Sequence, residues 1–193
     1  MYESKEWKSL SLIARAELIP VIEDVRPGAF LTISKEFKPN LEQCIQESEI
    51  LYHVEDYSSG NSRYLVSKNK EMLNDTFSYW KSVYDSNSEC LDYKYHNLMG
   101  NFFGYPQCCI DYFVDAFSCG RMPGRDWNGR AAVSFKKGTY NDVFNYVFHL
   151  PCRVNCKETR ILGENLKDVL EKYDMEAAET IKNIKLLSIL KRC

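Results

Sequence analysis

The spacing of apolar side chains changes once along this chain, at Ser67, and that change constrains the fold more than any other feature. Ahead of Ser67 stand short β-prone runs: Ala29-Phe30-Leu31-Thr32-Ile33, Ile50-Leu51-Tyr52-His53-Val54 and Arg63-Tyr64-Leu65-Val66. The last two flank Ser58-Ser59-Gly60-Asn61-Ser62, which has the composition of a hairpin connection. From Ser67 onward the period moves from two to about 3.6, so that Met72, Thr76, Phe77, Trp80 and Tyr84 share one face of a helix, with Ser67 or Asn69 as its cap. Strands gathered before helices predict an α+β fold. It has a small antiparallel N-terminal sheet, in residues 1–66, followed by a mostly helical part, residues 67–193, that carries the cysteine motifs.

Further elements follow from the same periodicities. Residues 10–19 place Leu10, Leu12, Ile13, Ala16 and Ile19 at helical spacing, and Pro20 is expected to stop that helix. A polar connection is expected through Lys38-Pro39-Asn40, and a helix over 90–103 that ends at Gly104. Residues 108–117 put Cys109, Tyr112, Phe113, Ala116 and Phe117 on one wide stripe, closed by Gly120. Residues 121–138, with Met122-Pro123-Gly124 and Asn128-Gly129, read as a long surface loop of the kind that covers a site. Residues 141–148 fit a helix or a strand, and 155–192 are helical with a break at Tyr173-Asp174. At 193 residues and 45% apolar content the chain can bury one sizeable core, so a single domain over 1–193 is expected.

Charge narrows the partners. The 25 basic and 27 acidic residues are interspersed, which leaves no electrostatic footprint for nucleic acid or an anionic membrane. No stretch approaches the roughly 18 apolar residues of a membrane span, and Met1-Tyr2-Glu3-Ser4-Lys5-Glu6 lacks the layout of a signal peptide. The expected compartment is the cytosol, where eight cysteines are many. In a reducing compartment, cysteines at short spacing read as metal ligands or reactive thiols rather than disulfides. Cys44, Cys90, Cys119 and Cys193 are scattered and read as incidental, whereas Cys108/Cys109 and Cys152/Cys156 form pairs.

Each pair belongs to a motif, Gly104-Tyr105-Pro106-Gln107-Cys108-Cys109 and His149-Leu150-Pro151-Cys152-Arg153-Val154-Asn155-Cys156. Pro106 suits the first position of a helix, which sets Cys108 and Cys109 in its first turn. Asn155 followed by Glu158 resembles a capping box, which makes Cys156 the first residue of the next helix. The backbone donors and dipole at a helix start favour thiolate, the form that binds metal or attacks an electrophile. Four thiolates match the ligand count of a tetrahedral zinc ion or a [4Fe–4S] cluster, with His149 able to replace one. The spacing is less diagnostic, since adjacent cysteines diverge by about 100° on a regular helix.

Plainer readings stand beside these. Cys109 lies on the apolar stripe and fits the core, and Pro151 and Asn155 fit ordinary helix-start chemistry. His149 fits a hydrogen-bonded core histidine as well as a ligand, and His53 and His96 read as structural. Arg121, Arg125 and Arg130 read as solvated charge, with anion binding as the alternative.

The two motifs together resemble an uncharacterised, mainly archaeal family, domain of unknown function 483, whose members carry G-Y-P-x-C-C-x-x-x-F followed by H-x-P-C-x-x-x-C. The matching residues are Gly104, Tyr105, Pro106, Cys108, Cys109 and Phe113, then His149, Pro151, Cys152 and Cys156. Arg153 stands where related sequences often carry serine. The resemblance implies no activity; it implies that both halves form one constellation. Three functions remain open at this level. One is a protein in which Cys108, Cys109, Cys152 and Cys156, with His149 in reserve, hold a [4Fe–4S] cluster or zinc, structurally or with one iron open to a substrate. Another is a metal-free thiol enzyme or redox protein with Cys108 attacking and His149 as base. The third is a scaffold whose residues 175–190 engage a partner. Across these readings the expected partner is a small molecule or a protein.

Overall fold

The computed structural model describes residues 1–85, 93–118, 130, 131, 133, 134 and 136–190. Three strands, β1 (Gly28–Ser34), β2 (Leu51–Asp56) and β3 (Asn61–Ser67), form an antiparallel sheet in the order β1-β3-β2, with Leu31 and Val54 both opposite Tyr64. Helices precede and follow it: α1 (Lys5–Ser9), α2 (Leu12–Ile22), α3 (Lys38–Glu47), α4 (Lys70–Asp85), α5 (Tyr93–Phe102), α6 (Gln107–Ser118), α7 (Lys157–Tyr173) and α8 (Met175–Leu190). The fold is α+β, as the change of period at Ser67 predicts.

Strand alternation sorts side chains onto two faces. Ala29, Leu31, Ile33, Tyr64 and Val66 join the larger core, which also takes Trp7 of α1, Leu18 and Ile19 of α2, Leu41 and Ile45 of α3, and Leu166 and Leu170 of α7. Leu65, one residue out of phase, turns to the opposite face with Leu73 and Trp80 of α4 and Phe102 of α5. The sheet is therefore covered on both faces, which is why β3 reads as a continuous apolar run at its end.

Several local expectations are corrected. Pro20 does not stop the first long helix: α2 runs on to Ile22. The turn beyond it is held by the Glu23 N–H to the Ile19 carbonyl at 2.9 Å and by the Val25 and Arg26 N–H groups to the Pro20 carbonyl at 2.8 and 3.1 Å. Seven buried residues from Ala14 to Val21 outweigh the one ladder bond that proline removes. Lys38-Pro39-Asn40 is not a connection but the start of α3, with Pro39 in its first turn. Leu41, Cys44 and Ile45 at i, i+3 and i+4 carry its buried face, so Cys44 is a core residue. Residues 141–148 are neither helix nor strand but a 3-10 turn, Asp142–Asn145, capped by Asn141, whose side-chain oxygen accepts from the Val143 N–H at 3.1 Å. Asn69 caps α4, accepting from the Met72 N–H at 3.0 Å, and Asp174 breaks the C-terminal segment as expected. The loop reading of 121–138 falls mostly on residues outside those described.

Among the described residues, no helix is long and apolar enough to cross a membrane.

Candidate metal centre

The first pair is positioned by a tight reversal between α5 and α6. Gly104 adopts φ +69° at the end of α5, and a Cβ there would lie 2.7 Å from Pro27 Cδ, so both backbone and space call for glycine. The Tyr105 N–H closes the helix on the Gly100 carbonyl at 2.9 Å. Two residues on, the Pro106 carbonyl accepts from the Cys109 N–H at 2.8 Å and the Ile110 N–H at 3.1 Å, which places Cys108 and Cys109 in the first turn of α6. There the tightened backbone lets adjacent side chains reach one point, Cys109 from the buried side and Cys108 from the exposed side, with sulfurs 3.9 Å apart.

The second pair is brought to them by the segment before α7. The Cys156 N–H bonds the Arg153 carbonyl at 3.1 Å, which folds the three residues between the cysteines into a turn. Arg130 braces it from outside: one guanidinium nitrogen donates to the Cys152 carbonyl at 3.1 Å and the other to the Tyr112 hydroxyl on α6 at 2.8 Å. This arginine, read from sequence as solvated charge or an anion site, ties the two motifs together.

The sulfurs converge. Cys156 Sγ lies 3.7 Å from both Cys108 Sγ and Cys109 Sγ, and Cys152 Sγ lies 3.8 Å from Cys108 Sγ. All four sit within 4.8 Å of one another, a group that can hold a metal ion or cluster. The Cys152 N–H donates to Cys109 Sγ at 3.3 Å, so the second motif also supplies a backbone donor to a sulfur of the first.

His149 is one step removed from this group. Its Nε2 is 3.0 Å from Thr159 Oγ1, and Thr159 Oγ1 is 3.1 Å from Cys109 Sγ. Thr159, fully buried in the first turn of α7, was not singled out by the motifs; its signal was its place three residues after Cys156, on the same helical face. The capping box does not form. Cys156 itself is the N-cap, its carbonyl accepting from the Arg160 N–H at 3.0 Å, and Asn155 is exposed. Glu158 instead points Oε2 at the sulfurs, 3.4 Å from Cys156 and 3.9 Å from Cys108.

Electrostatics differ from the helix-dipole expectation for the first pair. Burial, reinforced by the neighbouring Cys156 and Cys152 thiols, pushes Cys108 up to about 12. Burial also pushes Cys109 up, against the Thr159 hydroxyl and the Cys152 N–H that favour its thiolate. Only Cys156 moves down: burial opposes it, but the Thr159 hydroxyl and main-chain N–H and the adjoining thiols prevail. Without a metal, then, the cluster keeps protons on Cys108 and Cys109, because crowding like-charged sulfurs out of water costs more than one helix terminus returns.

Residues read as incidental or structural fall elsewhere. His53 stacks on Phe77, centroids 4.2 Å apart, and its Nε2 lies 2.8 Å from Asn74 Oδ1. Cys90, Cys119, Cys193, Arg121 and Arg125 lie outside the described residues. Fold and site together define an α+β protein with a convergent four-cysteine centre. Comparison with protein-family models, with curated proteins and with solved structures yields no match to the chain.

Proposed function

We propose that the chain binds one tetrahedral zinc ion through the thiolates of Cys108, Cys109, Cys152 and Cys156, and that the ion fastens the start of α6 to the segment entering α7. The spacing of the sulfurs carries this reading. A tetrahedral ion with metal–sulfur bonds of about 2.3 Å has sulfur–sulfur edges of about 3.8 Å. The sulfur pairs at 3.7, 3.7, 3.8 and 3.9 Å fit that value, and the set is bounded at 4.8 Å. A cubane assigns each thiolate its own iron and sets the cysteine sulfurs farther apart than one shared ion does, so the [4Fe–4S] alternative requires the two motifs to open. Four thiolates leave no position for a substrate, which favours a structural role for the ion. His149 then acts behind the ligands, orienting Thr159 toward Cys109. The thiol-enzyme reading has less support: Cys108, the most exposed of the four clustered cysteines, holds its proton at neutral pH, and Cys156, whose pKa falls, is 0% exposed. Kinship with domain of unknown function 483 belongs to the proposal as well, carried by the motif residues alone.

Anaerobic purification followed by metal analysis, acid-labile sulfide determination and thiol alkylation tests this. The expected result is stoichiometric zinc, no sulfide, and protection of Cys108, Cys109, Cys152 and Cys156 until a chelator is added. Iron with labile sulfide would replace zinc by a cluster. A folded, metal-free protein that takes up no zinc would end the metal reading.

A further inference from the structure

A cavity of about 290 Å³ opens between α5, α6 and the segment around His149, with Cys109 in its wall. Of the four clustered cysteines only Cys109 lines it, and the zinc reading makes no use of it. Its lining is largely aromatic. Tyr105 lies against the His149 ring, centroids 4.8 Å apart and 34° between planes, and Phe103 follows Tyr105 at 5.4 Å. In the same lining His96 meets Phe113 edge-on at 5.1 Å and Tyr95 at 5.5 Å. Gly100 and Ile110 close it where α5 and α6 touch: a Cβ on Gly100 would lie 2.6 Å from Ile110 Cγ1.

Size and chemistry select an occupant. An apolar cavity of about 150 Å³ holds benzene, so one of 290 Å³ has room for a second ring. A lining rich in aromatic rings favours a flat guest that can stack or meet edges over an aliphatic one of equal volume. Two imidazoles, one on α5 and one before α7, stand in a mainly apolar lining whose other polar groups are the Tyr95 and Tyr105 hydroxyls and the Cys109 thiol, the pattern by which small-molecule sites fix orientation. We infer that this cavity is a binding site for a planar, two-ring heteroaromatic molecule whose ring nitrogens hydrogen-bond to His96 or His149.

The test uses the full chain as purified, with benzimidazole as the probe, naphthalene as its apolar isostere and cyclohexanol as the non-planar control, each titrated by ligand-observed NMR and calorimetry. Benzimidazole is expected to bind saturably and at least about tenfold more tightly than naphthalene or cyclohexanol, a ratio set by one well-placed hydrogen bond in a desolvated site. His96→Phe, which keeps a ring but removes its nitrogens, and Thr159→Val, which changes what holds His149, each test one anchor; loss of the preference for benzimidazole over naphthalene in at least one is expected. Met99→Trp, which fills the cavity from α5, should abolish binding of both aromatics. Zinc content and circular dichroism are followed in each variant. Absence of saturable binding to the folded protein overturns the inference, as does equal binding of cyclohexanol or undiminished binding in a folded Met99→Trp. A folded chain that takes up no zinc yet still binds benzimidazole leaves the inference standing and sinks the zinc reading, so the two fail separately.

Discussion

The Thr159 hydroxyl bridges His149 and Cys109, within hydrogen-bonding distance of both, and groups in that position tune a metal centre without touching the metal. Thr159→Val preserves shape and removes the hydroxyl, so zinc affinity should fall about 10- to 100-fold, measured by competition with a chromophoric chelator. An unchanged affinity would reduce the hydroxyl to packing. Proton linkage gives a second prediction. Cys108, held up at about 12, and Cys109, also raised, carry protons at neutral pH that an incoming ion must displace. Affinity for zinc should therefore rise with pH by about tenfold per unit for each proton displaced. Calorimetry in buffers of different ionisation enthalpy counts those protons, and release of none would contradict the thiol assignment. For the metal-free fold the sign reverses: a thiol raised from 9.0 to about 12 adds stability below pH 9.0 that is lost as pH climbs through 12. Cys44 provides the control, being 1% exposed and packed in the main core away from the sulfurs. Cys44→Ser should leave zinc content intact while costing about 1–3 kcal/mol in denaturant unfolding, because it buries a hydroxyl.

Among the elements, the junction of α7 and α8 shows how one side chain can serve two structures. Asp174 caps α8, its Oδ1 accepting from the Ala177 N–H at 3.0 Å. Its other oxygen meets Arg15 of α2 at 2.8 Å and the Trp7 indole N–H of α1 at 3.3 Å, with both charged side chains almost wholly buried. This pair locks the N-terminal helices to the C-terminal ones across more than 150 residues of chain. Asp174→Asn separates the two roles, since asparagine caps a helix about as well as aspartate but carries no charge. It should destabilise the protein by roughly 3 kcal/mol, the cost of leaving a buried arginine short of its partner. Glu176, 3.1 Å from Arg15 but largely exposed, compensates only in part. A loss of only a few tenths of a kcal/mol in urea titration would show that Glu176 and solvent satisfy Arg15. Helix starts follow the same logic at the sulfur cluster, where Cys156 takes the cap position assigned from sequence to Asn155. Local sequence favours Asn155, a stronger cap by intrinsic preference, but the cap falls where the chain leaves the sulfur cluster for α7, and that residue is Cys156.

For the molecule as a whole, the proposed ion is a cross-link between segments 44 residues apart, from Cys108 to Cys152. Closing a loop of that length in the unfolded chain is worth about 4 kcal/mol by chain entropy. Chelation should lower the unfolding midpoint and raise amide exchange in the first turns of α6 and α7 before it affects β1 and β3, whose hydrogen bonds lie in a core independent of the sulfurs; uniform exchange across all elements would argue instead for a metal that holds the entire fold. The sequence alone determined a small antiparallel sheet near the N-terminus with a mostly helical remainder, the hairpin, the break at Tyr173-Asp174 and the placing of Cys108, Cys109 and Cys156 at helix starts. Those depend on side-chain period and backbone sterics over a few residues, and they are written locally. Tertiary structure decided that α2 runs through Pro20, that Asp142–Asn145 is a 3-10 turn, that both Cys108 and Cys109 face one point, and that Thr159 rather than His149 touches a sulfur. Each of these is settled by packing between segments distant in sequence, where contacts of a few kcal/mol each outweigh local propensities, mostly under about 1 kcal/mol and about 3 kcal/mol for an interior proline.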